Sequence, residues 1–334
     1  MPSTAVQLEQ FGPARDGEGS AATLALPDAL AWCRRLAGSR YENFSVLSSL
    51  VPHGLRDDFA AVYAFCRCAD DLGDEIGSPQ RSLELLRWWR GQLKACFDVA
   101  GPGGVALHPT FVALRPTIAR HALPMQPFDD LISAFEMDQT VTRYDTWSQL
   151  LGYCRLSADP VGRLVLLLLG EPRTNETFAL SDRICTALQL TNHWQDIRRD
   201  RAERNRVYVP REMIAIDDFE TRLAETVRLG HAPDRTFLEQ TRVLVRSLCA
   251  RTWPLFDEGG ALLDRVAPTS RPVIWLFVAG GEHVLASIAS WNHETVLHRP
   301  RLSKPAKAWL VARAWLQALR SRGHEPSRAR RAAA

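Results

Sequence analysis

Asn192, Asp196 and Asp200 recur at intervals of four within the stretch from Gln189 to Asp200. On an α-helix that spacing stacks three side chains on one face, one turn above another. The surrounding pattern is helical: Ile184, Leu188 and Thr191 recur every three or four residues, with neither Gly nor Pro between Ser181 and Tyr208. Two carboxylates and an amide oxygen make a hard, oxygen-only stripe. Such a stripe suits Mg²⁺, which takes one or two carboxylates, keeps several waters and shares substrate phosphate. Arg198 and Arg199 are expected to lie off the stripe. Taken alone, the stripe is equally well explained as an exposed helix whose acids face water.

A second acidic stretch changes that balance. Asp70, Asp71, Asp74 and Glu75 follow directly on the apolar run Phe59–Cys66, and Asp70 and Asp74 are again four apart. A cluster of acids continuing a run that must be buried is poorly explained as a solvated face. Two such helices, with their acids turned toward each other, would hold metal ions between them and a diphosphate across the metals.

The elements that must position these residues read as helices nearly throughout. Hydrophobic periodicity predicts helices over about 29–36, 56–73, 81–99, 108–121, 128–141, 147–156, 161–169, 181–204, 219–229, 235–258, 271–291 and 305–321. Only residues 205–210 read as a short extended segment. The fold class expected is all-α, a single-domain helical bundle. Runs such as Val161–Leu169 and Ala279–Ala289 are apolar around most of the helix, which places them centrally. They would either line a greasy tunnel or simply pack a core.

With 334 residues, 46% of them hydrophobic, the chain can bury a large core. A net charge of +3 is too small to argue for nucleic acid. Seven cysteines, without C-x-x-C or metal-ligand spacing except for Cys66 and Cys68, which lie on different helix faces, indicate reduced thiols and a cytoplasmic setting. Residues 1–24 are expected to form a disordered or loosely held tail without an apolar leader, residues 25–300 the catalytic domain, and 301–334 a basic C-terminal helix and tail. No stretch is expected to reach the roughly 18–20 apolar residues that span a bilayer, the longest candidate being Val161–Gly170.

Three stretches together carry a family resemblance: Tyr63 to Glu75, Tyr153 to Gly162, and Gln189 to Asp200. In order and spacing, over about residues 28–300, they resemble the squalene/phytoene synthase family. Glu42-Asn-Phe44, Arg143 to Trp147, Ser157 to Arg163 and Arg299 to Ser303 resemble its bacterial branch that makes hydroxysqualene from presqualene diphosphate. The resemblance implies the all-helical isoprenoid-synthase fold with a central apolar tunnel. It also implies that Asp70, Asp74, Asn192, Asp196 and Asp200 bind Mg²⁺, and through it the substrate diphosphate, with Asp71 beside them. Arg67 matches an arginine that contacts diphosphate, which is compatible with an ion pair to a neighbouring acid. Tyr63 and Tyr208 match aromatic positions near the reacting carbons. Arg206 flanks the diphosphate, and Gln189 and Gln195 would be polar lining or structural hydrogen-bond formers.

One departure separates the chain from phytoene and dehydrosqualene synthases. Where those read Ser-x-Ser-Phe, this chain has Tyr41-Glu-Asn-Phe44. Phe44 is kept, while Tyr41 and Asn43 replace both hydroxyls. That is consistent with an enzyme that receives a condensed intermediate, presqualene diphosphate, rather than one that joins two farnesyl groups. Head-to-head condensation of two prenyl diphosphates is the alternative reaction. A non-catalytic lipid-binding relative is the alternative of another class. Beyond His298, ten Lys and Arg residues accompany a single acid, Glu325, and Trp309, Leu310, Trp315, Leu316 and Leu319 interleave with them. This segment is either a helix lying on the anionic inner membrane face or a terminal helix packed on the bundle. Neighbouring pathway enzymes remain possible partners.

Overall fold

The computed structural model describes residues 4–13, 24–40, 50–98, 107–232 and 234–322. Among them it is all-α, without β-strands beyond one isolated parallel bridge between Arg143 and Val207. The helices fall into two compact units that interleave along the chain.

The first unit takes residues up to 173, apart from 49–51, and regains 206–212. It contains α1 (Thr4–Phe11), α2 (Leu26–Arg40), α3 (Arg56–Asp74), α4 (Pro79–Phe97), α5 (Pro109–His121), α6 (Gln126–Met137), α7 (Trp147–Ser157) and α8 (Asp159–Leu168). Helix α3 is its axis, packed against α2, α4, α5 and α6. The sequence suits that position: Ala60, Ala61, Ala64 and Ala69 are small and buried, letting neighbours approach. Phe65 fills the space between them, with ring centroids 4.9 Å from Phe128 and 5.9 Å from both Trp89 and Phe111. The start of α3 is pinned by the buried Asp58, which accepts from Thr117 at 2.8 Å and pairs with Arg120 at 2.9 Å. This end is therefore fixed in the core while the other carries the acids.

Within the segment expected as a tail, residues 4–11 form helix α1. Phe11 packs edge-on against Trp32 and His108, and the Thr4 hydroxyl donates to Glu75.

The second unit comprises residues 49–51, 174–205 and 213–334. Its helices are α9 (Asn175–Gln195), α10 (Ile197–Arg204), α11 (Phe219–Leu229), α12 (Arg235–Gly260), α13 (Arg271–Ser290) and α14 (Lys304–Arg322). Helix α9 starts on a capping box at Thr174 and lies against α12 and α13. Two glycines make this close packing possible. A Cβ on Gly259 would meet Ile184 at 2.7 Å, and one on Gly281 would meet Leu188 and Phe256 at 2.5 Å. Helix α14 packs on α13.

Helix α13 also corrects the membrane expectation. At 20 residues it is long and apolar enough to cross a bilayer, which Val161–Gly170 is not. Its Gly281 nevertheless lies against Leu188 and Phe256, and Val273, Leu285 and Ile288 are buried. It is a packed helix of the second unit's core.

Candidate active site

The first acidic motif occupies the last turns of α3. Arg67 sits among its acids, one turn earlier: Nη1 donates to Asp70 at 2.8 Å, and Nη2 reaches Asp71 and, at 3.1 Å, Glu75. Burial works against the charged guanidinium, but Asp70, Asp71 and Glu75 outweigh it and hold Arg67 protonated. Tyr63 is half-buried one turn before Arg67. The ion pair foreseen for Arg67 is thus a cluster of three.

Asp74 has a different cation. Arg206 Nη1 donates to it at 3.2 Å and lies 3.7 Å from Asp138, while Nη2 donates to the Asp138 carbonyl at 3.1 Å. Arg206 comes from the short extended segment after α10, and the chain is held there by hydrogen bonds. The Val207 amide donates to the Thr142 carbonyl at 3.0 Å and the Arg211 amide to that of Tyr144 at 2.9 Å. The left-handed conformation of Asn205, φ 53°, ends α10 and turns the chain into this segment. Burial disfavours the Arg206 charge, yet Asp138, Tyr208 and Asp74 prevail and raise its pKa.

Asp138 escaped sequence reasoning. It is buried at the C-terminal end of α6 and accepts a 3.0 Å hydrogen bond from the Tyr153 hydroxyl. Burial pushes its carboxyl up to about 7, against the opposing pull of Arg206 and Tyr153. Tyr153 in turn belongs to a three-ring layer with Tyr144 and Tyr208. Tyr208 stacks on Tyr144 at 5.8 Å with planes 21° apart and lies 5.7 Å from Tyr153. Tyr208 was expected near the chemistry; Tyr144 and Tyr153 were visible only as members of longer motifs, and Asp138 had no neighbour in sequence to mark it.

The second motif departs from the single straight helix expected over 181–204. Helix α9 ends at Gln195, Asp196 leaves helical geometry (φ −106°, ψ 14°), and α10 begins at Ile197. At this bend the Asp196 side chain is held by arginines. It accepts both Nε and Nη2 of Arg299, the latter at 2.9 Å, and Arg199 approaches it to 3.3 Å. Arg199 is therefore not off the stripe, and Arg204 stands 4.0 Å from Asp200. Asn192 is exposed, whereas Asp196 and Asp200 are buried. Gln189 is half-buried, and Gln195 donates to the Pro300 carbonyl, the structural role left open for it. Arg299 was flagged only within a motif; nothing local indicated that it would clamp Asp196. Tyr41, Asn43 and Phe44 lie outside the described residues.

Each acidic motif thus carries its own arginines: Arg67 and Arg206 in the first unit, Arg199 and Arg299 in the second. The donors are all oxygens, without His or Cys among them, which fits a hard divalent cation such as Mg²⁺. Among the described residues no group of three or more His, Cys, Asp or Glu is arranged to hold a metal. Within the first unit a pocket lined by Thr4, Gln7, Cys68, Asp71, Trp89 and His108 measures about 20 Å³. It has room for about one water molecule and none for a prenyl chain.

Comparison with known proteins gives these features a context. The family model for squalene/phytoene synthase matches residues 38–307. A Sinorhizobium fredii protein named hydroxysqualene synthase is 36% identical over 228 residues, covering 68% of this chain and 72% of its own length. A Rhodopseudomonas palustris protein of the same name is 39% identical over 176 residues, covering 52% of this chain and 57% of the relative. Among solved structures, a squalene synthase from Alicyclobacillus acidocaldarius is 42% identical with a TM-score of 0.69, covering 80% of this chain and 96% of that one. A dehydrosqualene synthase, 23% identical with a TM-score of 0.72 over 89% of this chain and 98% of that one, shares the fold.

Proposed function

The chain belongs to the squalene/phytoene synthase family, and we propose that it converts presqualene diphosphate and water to hydroxysqualene and diphosphate. The observation that carries this reading is the interleaving of carboxylates and guanidiniums in both motifs. A magnesium diphosphate has two halves of opposite charge, and each motif offers both complements. Asp70, Asp74, Asn192, Asp196 and Asp200 would hold Mg²⁺, with Asp71 adjacent, while Arg67, Arg206, Arg199 and Arg299 would face diphosphate oxygens. When bound, Mg²⁺ neutralises the charge that builds on the departing diphosphate.

The chain's own residues account for the remaining requirements. Arg206 is kept protonated by Asp138 and Asp74, so its positive charge persists wherever the enzyme works. Departure of diphosphate leaves a cyclopropylcarbinyl cation, which rearranges before water adds and a proton is released. The faces of Tyr208, Tyr144 and Tyr153 form an apolar layer that can stabilise positive charge by about 0.5–2 kcal/mol per ring. Tyr153 is locked by its bond to Asp138. No hydride donor enters the balance, which classes the reaction as a carbon–oxygen lyase. An apolar channel receiving the prenyl chains is part of the same reading.

Head-to-head condensation of two prenyl diphosphates is the second reading, favoured by the 42% identity to a squalene synthase. Purified protein incubated with Mg²⁺ and no NADPH separates the two. Hydroxysqualene from presqualene diphosphate, with no product from farnesyl diphosphate, supports the lyase; condensed product from farnesyl diphosphate establishes the transferase. Asp70→Ala and Asp196→Ala are each expected to lower kcat by about a hundredfold or more with helicity unchanged. Retained turnover in either would remove that motif from the metal site.

A further inference from the structure

The outward face of α14 has a composition that packing on α13 does not explain. Each residue advances a helix by about 100°. Leu310 and Ala314, which are buried, mark the side that meets the unit's core. The opposite side presents Trp315, Leu316 and Leu319, exposed at 45%, 55% and 51%, while Trp309 at its edge is 49% exposed and also packs on His283 of α13. Pro305, Ala308 and Ala312 complete this stripe and are also exposed. Exposed Arg313 and Arg320 border it on the side of Trp309, and exposed Lys304 borders it on the side of Trp315.

A helix with two apolar faces, one spent on its own unit and the other edged by cations, has the build of an interfacial element. From this placement we propose that α14 docks the protein on an anionic lipid surface, with Trp309, Trp315, Leu316 and Leu319 entering the headgroup region. The charge distribution selects this occupant. Residues 299–322 contain seven Lys and Arg and no acid. An anionic surface therefore attracts this segment. A two-fold dimer through the same face would set one row of cations against an identical row. Trp309 is already braced, with its ring 5.8 Å from His283 and the Arg313 guanidinium 5.2 Å above it. Its insertion would cost little side-chain ordering.

The test uses the full chain and needs no turnover, so its result is independent of the reaction assigned above. Protein is sedimented with vesicles of phosphatidylcholine alone, or of phosphatidylcholine with phosphatidylglycerol, while indole emission is followed. Binding and a blue shift are expected with the anionic vesicles only, weakening at about 1 M salt where the Debye length falls to about 3 Å. Leu316→Ser with Leu319→Ser should reduce the bound fraction about tenfold or more. Lys304→Glu with Arg320→Glu should do the same. The charge pair alters only exposed side chains, so it remains decisive should the serine pair disturb folding. Equal binding to phosphatidylcholine vesicles, or unchanged binding by the charge pair, overturns the proposal. A concentration-dependent doubling of mass that Leu316→Ser abolishes, without vesicle binding, would assign the face to a second copy instead.

Discussion

His108 shows how one residue can link local geometry to the behaviour of the fold. Its Nδ1 accepts from the Thr110 amide at 3.2 Å, capping α5, and its ring is boxed by Phe11, Trp32 and Trp89. Burial among these rings lowers its pKa from 6.5 to about 3. Between those values the unfolded chain binds a proton that the folded chain does not. The contribution is complete above pH 6.5 and is lost as pH falls toward 3. The cost reaches on the order of 3 kcal/mol at about pH 4. Urea unfolding at a series of pH values should show this slope, and His108→Asn, which keeps a capping acceptor, should flatten it. An unchanged slope would mean that another group controls the acid limb. At this scale the two acidic motifs, Arg67 and Arg206 were legible because residue type and spacing are properties of the sequence. Asp138 and the grip of Arg299 on Asp196 were not. Both depend on which distant segment arrives beside a buried carboxylate.

Helix periodicity found nearly all the elements, since each long helix presents an apolar face that only a period of 3.6 can generate. It failed where the pattern was continuous but the backbone was not. Nothing in residues 181–204 marks Asp196 as a break, because the bend accompanies an ion pair formed with residue 299. Periodicity is also blind to how closely helices approach, which glycines control here. Adding a methyl at Gly281 strikes Leu188 Cδ2 and Phe256 Cζ, the far ends of side chains. At Gly259 the same methyl meets the Ile184 nitrogen at 3.1 Å and the Leu180 carbonyl oxygen at 3.2 Å as well. Backbone atoms cannot swing aside. Gly281→Ala and Gly259→Ala should each destabilise the protein by about 1–3 kcal/mol, with the greater loss at Gly259. Equal midpoints for the two variants in urea would show that α9 and α12 can separate freely.

For the molecule as a whole, the interleaving of the two units has a consequence that neither unit shows by itself. Residues 206–212 return to the first unit after more than thirty residues spent in the second. They bring the guanidinium that lies between Asp74 and Asp138, whose side chains are only 14% and 6% exposed. Without Arg206, Asp138 would be a buried carboxyl still bonded to Tyr153 but without its guanidinium, and a buried polar group that loses its partner costs about 1–3 kcal/mol. Tyr144 and Tyr153 would also lose the ring of Tyr208. A chain ending at Arg173 therefore contains every helix of the first unit yet should fail to fold cooperatively, giving a broad thermal transition and rapid proteolysis. Appending residues 206–212 through a flexible Gly/Ser linker should restore a sharp transition. Substituting Gln for Arg206 within that appended segment should cancel most of the recovery. Cooperative unfolding of residues 1–173 alone would show instead that the first unit closes without the returning segment, and that Arg206 contributes charge to the site but not stability to the fold.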